Sequence, residues 1–455
     1  MIKLISNIIW LKNLNKNKVE IAGVKAAFLA DLYNKSFPVP NGFVISADAF
    51  REFLQSNNID REIKKIIDKL DIRRFDNLMQ ASEIIRQRII KEDISSVLWS
   101  EILEAYENLN VNEELLRVSS DVLNLIKKGR SNALVAVRSS AVFDVPGVCN
   151  NYLNIIGGKS LLNAIKESWS SAYNPYNLLS LKRDNADPSI AVLVQKMADI
   201  NKSGVVLSSN PMNREREMVI EAGFGLGQIL TKGEITPDRY IIDVNLSVKN
   251  EIIGKKKLKL IRDLNTNETV RKKLVDEQRK RVLDKFEIEN IAKIVDKIEK
   301  IYNKPVIVEF GIGKKIEIFH VRLFNLPEII DKDNLKGEVL IEGAGASPKI
   351  NSGVVNQSIF VDNTAGSRAI ENLDKLKGVV VNEGGLGSCF AILCRQHNIP
   401  FVIAEDSTAI LNHGLIVTVD GVNGKVYKGE VKTAEEKLEA IKIVEDSYGF
   451  EVLDL

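Results

Sequence analysis

Two groups of residues in this chain have types and spacings that could do chemistry. The segments Val306-Ile307-Val308-Glu309-Phe310 and Ile316-Glu317-Ile318-Phe319-His320-Val321-Arg322 both read as strands, with a Gly-Ile-Gly-Lys-Lys turn between them. With Lys314-Lys315 at the tip of that hairpin, Glu309 lies directly across from His320 on a shared face, and Arg322 follows two positions on. A carboxylate, a second ligand and an arginine on one face suit a divalent cation that bridges phosphate oxygens. A half-buried strand histidine is the plainer reading of His320 and rivals the ligand reading more closely than anything does for Glu309. The second group is Val137-Arg138-Ser139-Ser140-Ala141, with Asp144 and Gly147 following. An arginine fork can grip two phosphate oxygens at once, and small Ser and Gly residues let backbone amides approach. A strand end plus a turn is the plainer alternative.

The elements that must position these residues are legible in outline. Residues 1–130 read mainly as helices, with apolar positions at helical spacing from Ile63 to Leu70 and from Val97 to Leu109. From Ala133 the pattern changes to short β-rich runs at Leu134–Val137, Ile190–Val194, Gly204–Leu207 and Met218–Ile220, separated by turns and helices, which predicts a mixed α/β arrangement. The charged segment from Asn325 to Lys336 reads as a linker. Beyond it, Val339–Ile341, Gly378–Val381, Phe401–Ile403 and Leu415–Val419 are strand-like, and Gly384 is expected to open a helix. A last helix is predicted from Thr433, which forms a capping box with Glu436 ahead of Leu438, Ile441 and Val444.

Composition narrows the function classes. The 63 basic and 61 acidic residues leave a net charge of +2, so there is no global case for nucleic acid or an anionic membrane as partner. No apolar run approaches bilayer length, the start lacks a signal-type core, and three cysteines make neither a disulfide framework nor a zinc-finger spacing. A cytoplasmic globular protein of two or three domains is the expectation.

Further blocks are Ala22-Gly23-Val24-Lys25-Ala26, Pro38-Val39-Pro40-Asn41-Gly42-Phe43, Arg138-Ser139-Ser140-Ala141, Gln195-Lys196-Met197, Ser203-Gly204-Val205 and Glu221 to Gln228. They continue through Thr236-Pro237-Asp238, Ser347-Pro348, Ser352-Gly353, Asn398-Ile399-Pro400 and the stretch from Gly414 to Gly429, with Glu383-Gly384-Gly385-Leu386-Gly387-Ser388-Cys389 between. Together these blocks, across roughly residues 20–430, resemble the phosphoenolpyruvate synthase and pyruvate phosphate dikinase family. The most specific is the last, which resembles the family's phosphohistidine segment with cysteine at the carrier position. The family's Gln-x-Arg-Pro element appears here as His320-Val321-Arg322-Leu323, and imidazole is a poorer Mg²⁺ ligand than an amide oxygen.

The resemblance implies an α/β fold: a two-lobed ATP-grasp domain over residues 1–325 with lobes meeting near residue 195, a linker at 326–336, a swivelling β/β/α phosphocarrier-like domain at 337–431 and a C-terminal helix at 432–455. It implies ATP held by Lys25, Arg138, Ser139, Gly147, Gln195, Glu309 and Arg322. Glu309 with His320 would bind Mg²⁺ or Mn²⁺, while Lys25, Arg138 and Arg322 polarise phosphates. Cys389 would sit in the first turn of a helix, where unpaired amides lower a thiol's pKa and attract a phosphoryl group. The implied function is ATP-dependent phosphotransfer of the dikinase type, through Cys389 to a small-molecule acceptor or a separate acceptor-binding subunit, since residues 432–455 are too short for the family's acceptor barrel. Direct transfer without a carrier, a catalytically silent ATP-binding module, cysteine as a mere space-filler and a Cys389–Cys394 redox pair remain open alternatives at this point. His397 and His413 read as surface residues.

Overall fold

The computed structural model describes residues 6–72, 74–109, 132–142, 151–184, 188–213, 215–328 and 335–431. Its first sheet runs in the order Ile8–Trp10, Gly42–Ile45, Ile190–Lys196, Val135–Ala141, Asn151–Ile155, with every neighbouring pair antiparallel. The central strand Ile190–Lys196 is buried on both faces, which is why it reads as an unbroken apolar run rather than an alternation. One face packs on the helices Ala47–Ser56, Phe75–Lys91, Ser96–Asn108 and Gly158–Ser170, where Phe50 and Phe53 stack on Trp169 at 5.5 and 4.9 Å between ring centres. The other face meets the helix Val19–Asn34.

The second sheet has six strands in the order Ile316–Leu323, Val306–Gly313, Ile200–Leu207, Met218–Phe224, Asp238–Ile242, Val248–Ile252. Side chains alternate across it. Val206, Ile220 and Val308 face the core shared with the helices Val19–Asn34 and Lys285–Tyr302. The second of these helices starts in a capping box between Asp284 and Glu287 and buries Ile288, Ile291, Ala292, Val295 and Ile298, a one-sided stripe worth about 1.5–3 kcal/mol for each large apolar residue. Val205, Leu207, Val219 and Ile307 face the opposite way, onto the last third of the chain.

That last third holds two four-stranded sheets. One is antiparallel, in the order Val339–Glu342, Lys425–Lys428, Ile416–Asp420, Ile350–Val354; the other is mixed, in the order Ala344–Ser347, Phe401–Ile403, Gly378–Val381, Ile359–Asp362. The helix Cys389–Gln396 lies on the mixed sheet and shares a core with Val205 and Ile307 of the second sheet through Phe390, Ala391 and Leu393. The fold is thus mixed α/β with its last third packed against the open face of the second sheet.

Two expectations shift. The helix opens at Cys389 rather than Gly384, because Ser388 takes the N-cap position and accepts from the Ala391 amide, which leaves Gly384–Gly387 as the turn before it. The hairpin does put Glu309 opposite His320, but by another route: its tip pairs Ile312 with Ile316, and a β-bulge at Phe319 restores the register. The helix expected from Thr433, together with Asp144, Gly147, Cys149 and residues 329–334, lies outside the described residues. Among the described residues no helix is long and apolar enough to cross a membrane.

Candidate functional site

The site is built along one row of side chains. Across the second sheet the register aligns His320, Glu309, Val205, Glu221 and Arg239 as consecutive cross-strand partners, so all five project from one face. Arg138 reaches this row from the first sheet. Its Nη1 donates to the Phe319 carbonyl and, at 3.4 Å, to Gln195 Oε1; its Nε donates to Asn151 Oδ1 at 3.3 Å, and its Nη2 lies 3.7 Å from Glu309 Oε2. The bulged residue Phe319 thus offers its carbonyl to the arginine, a use for the irregularity that the strand pattern could not foretell. Gln195 is fixed in turn by donating to the Pro40 carbonyl at 3.1 Å.

Lys25 comes from the opposite side. Its helix is interrupted at Gly23, whose φ of +72° and ψ of 163° break the helical path. A Cβ at Gly23 would stand 1.9 Å from the Ser140 carbonyl oxygen, so only glycine permits this approach. The Ser140 hydroxyl accepts from the Ala26 amide at 3.0 Å, and Lys25 Nζ donates to the Ser139 carbonyl at 3.1 Å and reaches Asn151 Oδ1 at 3.5 Å. Ser139 therefore takes part through its backbone, with its side chain buried.

Arg138, Gln195 and Glu309 line a cleft of about 600 Å³, counted out through its open mouth, together with Pro40, Met197 and Gln228. Apolar walls with a few fixed polar groups suit a planar ring at one end and phosphates at the other. Gln228 donates to the Asn151 carbonyl at 2.7 Å. Arg322 shares the face of Glu309 and His320, two positions beyond His320 and opposite Ile307. It does not line the cleft, and its charge reaches Arg395 on the helix that starts at Cys389.

Glu309 and His320 form a tight pair, with His320 Nδ1 3.0 Å from Glu309 Oε1 and side chains 16% and 25% exposed for His320 and Glu309, so the pair sits at the lip of the cleft. Burial alone would raise the Glu309 carboxyl, but the His320 hydrogen bond and charge, with those of Arg138 and Lys25, outweigh it and hold the group at about 2. Burial, aided by Lys25 and Arg138, pushes His320 down against the pull of Glu309. A neutral His320 then donates Nδ1–H to Glu309 and keeps a lone pair on Nε2. One carboxylate and one imidazole nitrogen fit a divalent ion that takes its remaining ligands from nucleotide phosphates and water. Among the described residues no cluster of three or more His, Cys, Asp or Glu could hold a metal without such help.

Cys389, partly exposed, occupies the first position of its helix. The turn before it is held on both sides. Glu221 accepts the Leu386 and Gly387 amides at 2.9 Å each, and Arg395 donates to the Leu386 carbonyl and the Ala346 carbonyl at 2.8 Å each. Cys394 is buried deeply enough that its thiol is pushed well above the ordinary range, which leaves it a poor redox partner.

A family profile described as pyruvate phosphate dikinase, AMP/ATP-binding domain, matches residues 19–325, and one described as PEP-utilising enzyme, mobile domain, matches residues 354–424. The chain belongs to the pyruvate phosphate dikinase AMP/ATP-binding family. It is 33% identical, over 94% of its length, to a probable phosphoenolpyruvate synthase of Archaeoglobus fulgidus, and 29% identical, over 95%, to a phosphoenolpyruvate synthase of Pyrococcus furiosus. It covers 59% and 60% of those relatives, so it spans about three fifths of their length. Of the residues singled out in the sequence, Arg138, Gln195 and Glu309 line the cleft, Lys25 reaches the Ser139 carbonyl beside Arg138, and His320 pairs with Glu309. Arg322 follows on the same face as His320, Cys389 opens the helix after the Gly384–Gly387 turn, and Gly147 falls outside the described residues. Sequence reasoning missed Asn151, whose Oδ1 receives both Lys25 and Arg138, and Glu221, whose only sequence signal was its place at the head of the Glu221–Gln228 glycine block.

Proposed function

We propose that this chain is an ATP-dependent phosphotransferase of the dikinase type in which Cys389 accepts the phosphoryl group. ATP lies in the cleft with its base near Gln195 and its phosphates toward Lys25, Arg138 and the Glu309–His320 pair. A divalent ion, Mg²⁺ or Mn²⁺, held by Glu309, His320 and phosphate oxygens, would neutralise phosphate charge when bound. Arg138 is kept in position by four acceptors, so it meets the phosphates already oriented. The nucleotide-binding part is taken as 1–325 and the carrier part as 337–431.

The observation that carries the carrier reading is the seating of the Cys389 turn. A Cβ on Gly387 would stand 2.7 Å from Val205 Cγ1, and Val205 pairs directly with Glu309. The turn that bears the thiol therefore sits one strand from the phosphate end of the cleft, a spacing of about 5 Å. Sulfur is a competent nucleophile, and a phosphothioester is a usable carrier. By family resemblance the β-phosphoryl group moves to the carrier, AMP departs, and the γ-phosphate leaves as inorganic phosphate with an oxygen from water. The acceptor is proposed to be a small molecule, and a cytoplasmic setting without nucleic acid or membrane partners suits such a reaction.

The test is intact mass and nucleotide analysis after incubation with Mg²⁺ and ATP, alongside Cys389→Ser. One added phosphoryl group that the serine variant does not retain, with AMP formed, is the expected result. Nucleotide binding with neither label nor AMP would overturn self-phosphorylation and leave direct transfer or a silent nucleotide-binding module.

A further inference from the structure

Glu221 has more contacts to the carrier turn than any packing role needs. Its carboxylate takes the two consecutive amides of Leu386 and Gly387, one on each oxygen, and Oε1 also receives Arg239 Nη2 at 2.9 Å and Nε at 3.1 Å. The side chain is only 3% exposed. The fit is close enough to dictate the turn's residues: a Cβ on Gly385 would stand 2.5 Å from Glu221 Oε2. On the far side Arg395 holds the Leu386 carbonyl, so this peptide is gripped at both ends, once from each of the two packed parts of the chain.

We propose that Glu221, neutralised by Arg239, is the positioning residue that docks the carrier turn on the nucleotide sheet and aims Cys389 at the phosphate end of the cleft. This rests on the carrier reading for its purpose, though the clasp itself does not need it. Two neighbouring amides donate to one carboxylate in a single geometry, so the contact fixes rotation and register where the apolar contacts of Phe390 and Leu393 do not. The same amides become available when the turn leaves the sheet, so docking and release exchange one acceptor for water or another acceptor. Glu221 touches no reacting atom in this account, and its effect on transfer passes through the turn.

The test uses the full chain with three variants, Glu221→Ala, Gly385→Ala and the double variant, read by amide hydrogen exchange and by single-turnover labelling from ATP. Each single substitution should speed exchange at Leu386 and Gly387 by about tenfold or more, the loss expected when hydrogen bonds to a charged group are broken. Each should speed iodoacetamide modification of Cys389 and slow labelling while the ATP dissociation constant stays unchanged. A merely structural residue would shift the melting temperature without that split. Gly385→Ala acts by colliding with the carboxylate, so in the double variant its effect should largely vanish. Wild-type exchange at Leu386 and Gly387 in Glu221→Ala, or full additivity in the double variant, would overturn the clasp. Faster exchange in the variants of a chain that never takes up a phosphoryl group would uphold the clasp and count against the carrier reading alone.

Discussion

At the scale of single residues, the cleft is an exercise in fixing cations before the ligand arrives. Arg138 is 5% exposed and is held by Asn151, Gln195, Phe319 and Glu309. Arg138→Lys keeps the charge but cannot reproduce the fork, so ATP affinity measured by calorimetry should fall by about tenfold to a hundredfold. The Glu309–His320 pair makes a pH prediction. Glu309 is held at about 2, below its ordinary 4.5, so its contribution is complete above about pH 5 and is lost as pH falls toward 2. His320 is buried in its neutral form and is pushed below 6.5, so it too costs stability as pH drops through the ordinary histidine range. Melting temperatures of wild type and Glu309→Gln should therefore lie closest near pH 2–3 and separate as pH rises to about 5. Equal separation across that range would contradict the pair as described.

At the scale of elements, backbone irregularities do most of the positioning. Gly23 breaks its helix so that Lys25 and Ala26 can meet Ser139 and Ser140, and the Phe319 bulge turns a carbonyl toward Arg138. Gly23→Ala combines a positive φ with a 1.9 Å collision, and it should cost at least about 2 kcal/mol in chemical denaturation. A loss under about 0.5 kcal/mol would show that the helix start can move aside. These features also mark where sequence reading ends. The strands Gly378–Val381 and Phe401–Ile403 were legible because buried β-branched runs bounded by turn residues have few alternatives. The facing of Glu309 and His320 followed from strand periodicity, yet the bulge that restores it leaves no mark in a pattern of apolar residues. Helix start at Cys389 rather than Gly384 is a capping event, and Ser388 is its legible sign. Asn151 and Glu221 were beyond reach for another reason: their roles depend on partners 126 and 165 residues away, set by sheet order and not by local spacing.

At the scale of the whole molecule, the last third of the chain is held to the rest, among the described residues, by an apolar patch, the buried Glu221 carboxylate clasp, the Tyr176 hydroxyl donating to the Ile370 carbonyl at 2.6 Å and ion pairs at the surface. The ion pairs join Lys255 to Glu405 and Lys257 to Glu383, from a lysine run whose middle member, Lys256, is instead buried against Asp238. Exposed pairs are worth about 0–1 kcal/mol each and are screened by salt, whereas the Glu221 clasp and the Phe390 patch are not. Solution scattering of the unliganded chain should thus show the same compact dimensions at low salt and at about 0.5 M salt, while salt-driven expansion would mean that the surface pairs govern docking. In the proposed reaction this docked arrangement delivers a phosphoryl group to sulfur. The most direct measurement is to offer the protein ATP radiolabelled in the β or the γ position and to map retained label by peptide analysis. Label from the β position alone, on the peptide bearing Cys389 and absent in Cys389→Ser, is the predicted result. No retained label from either position, or label on another residue that survives Cys389→Ser, would contradict it.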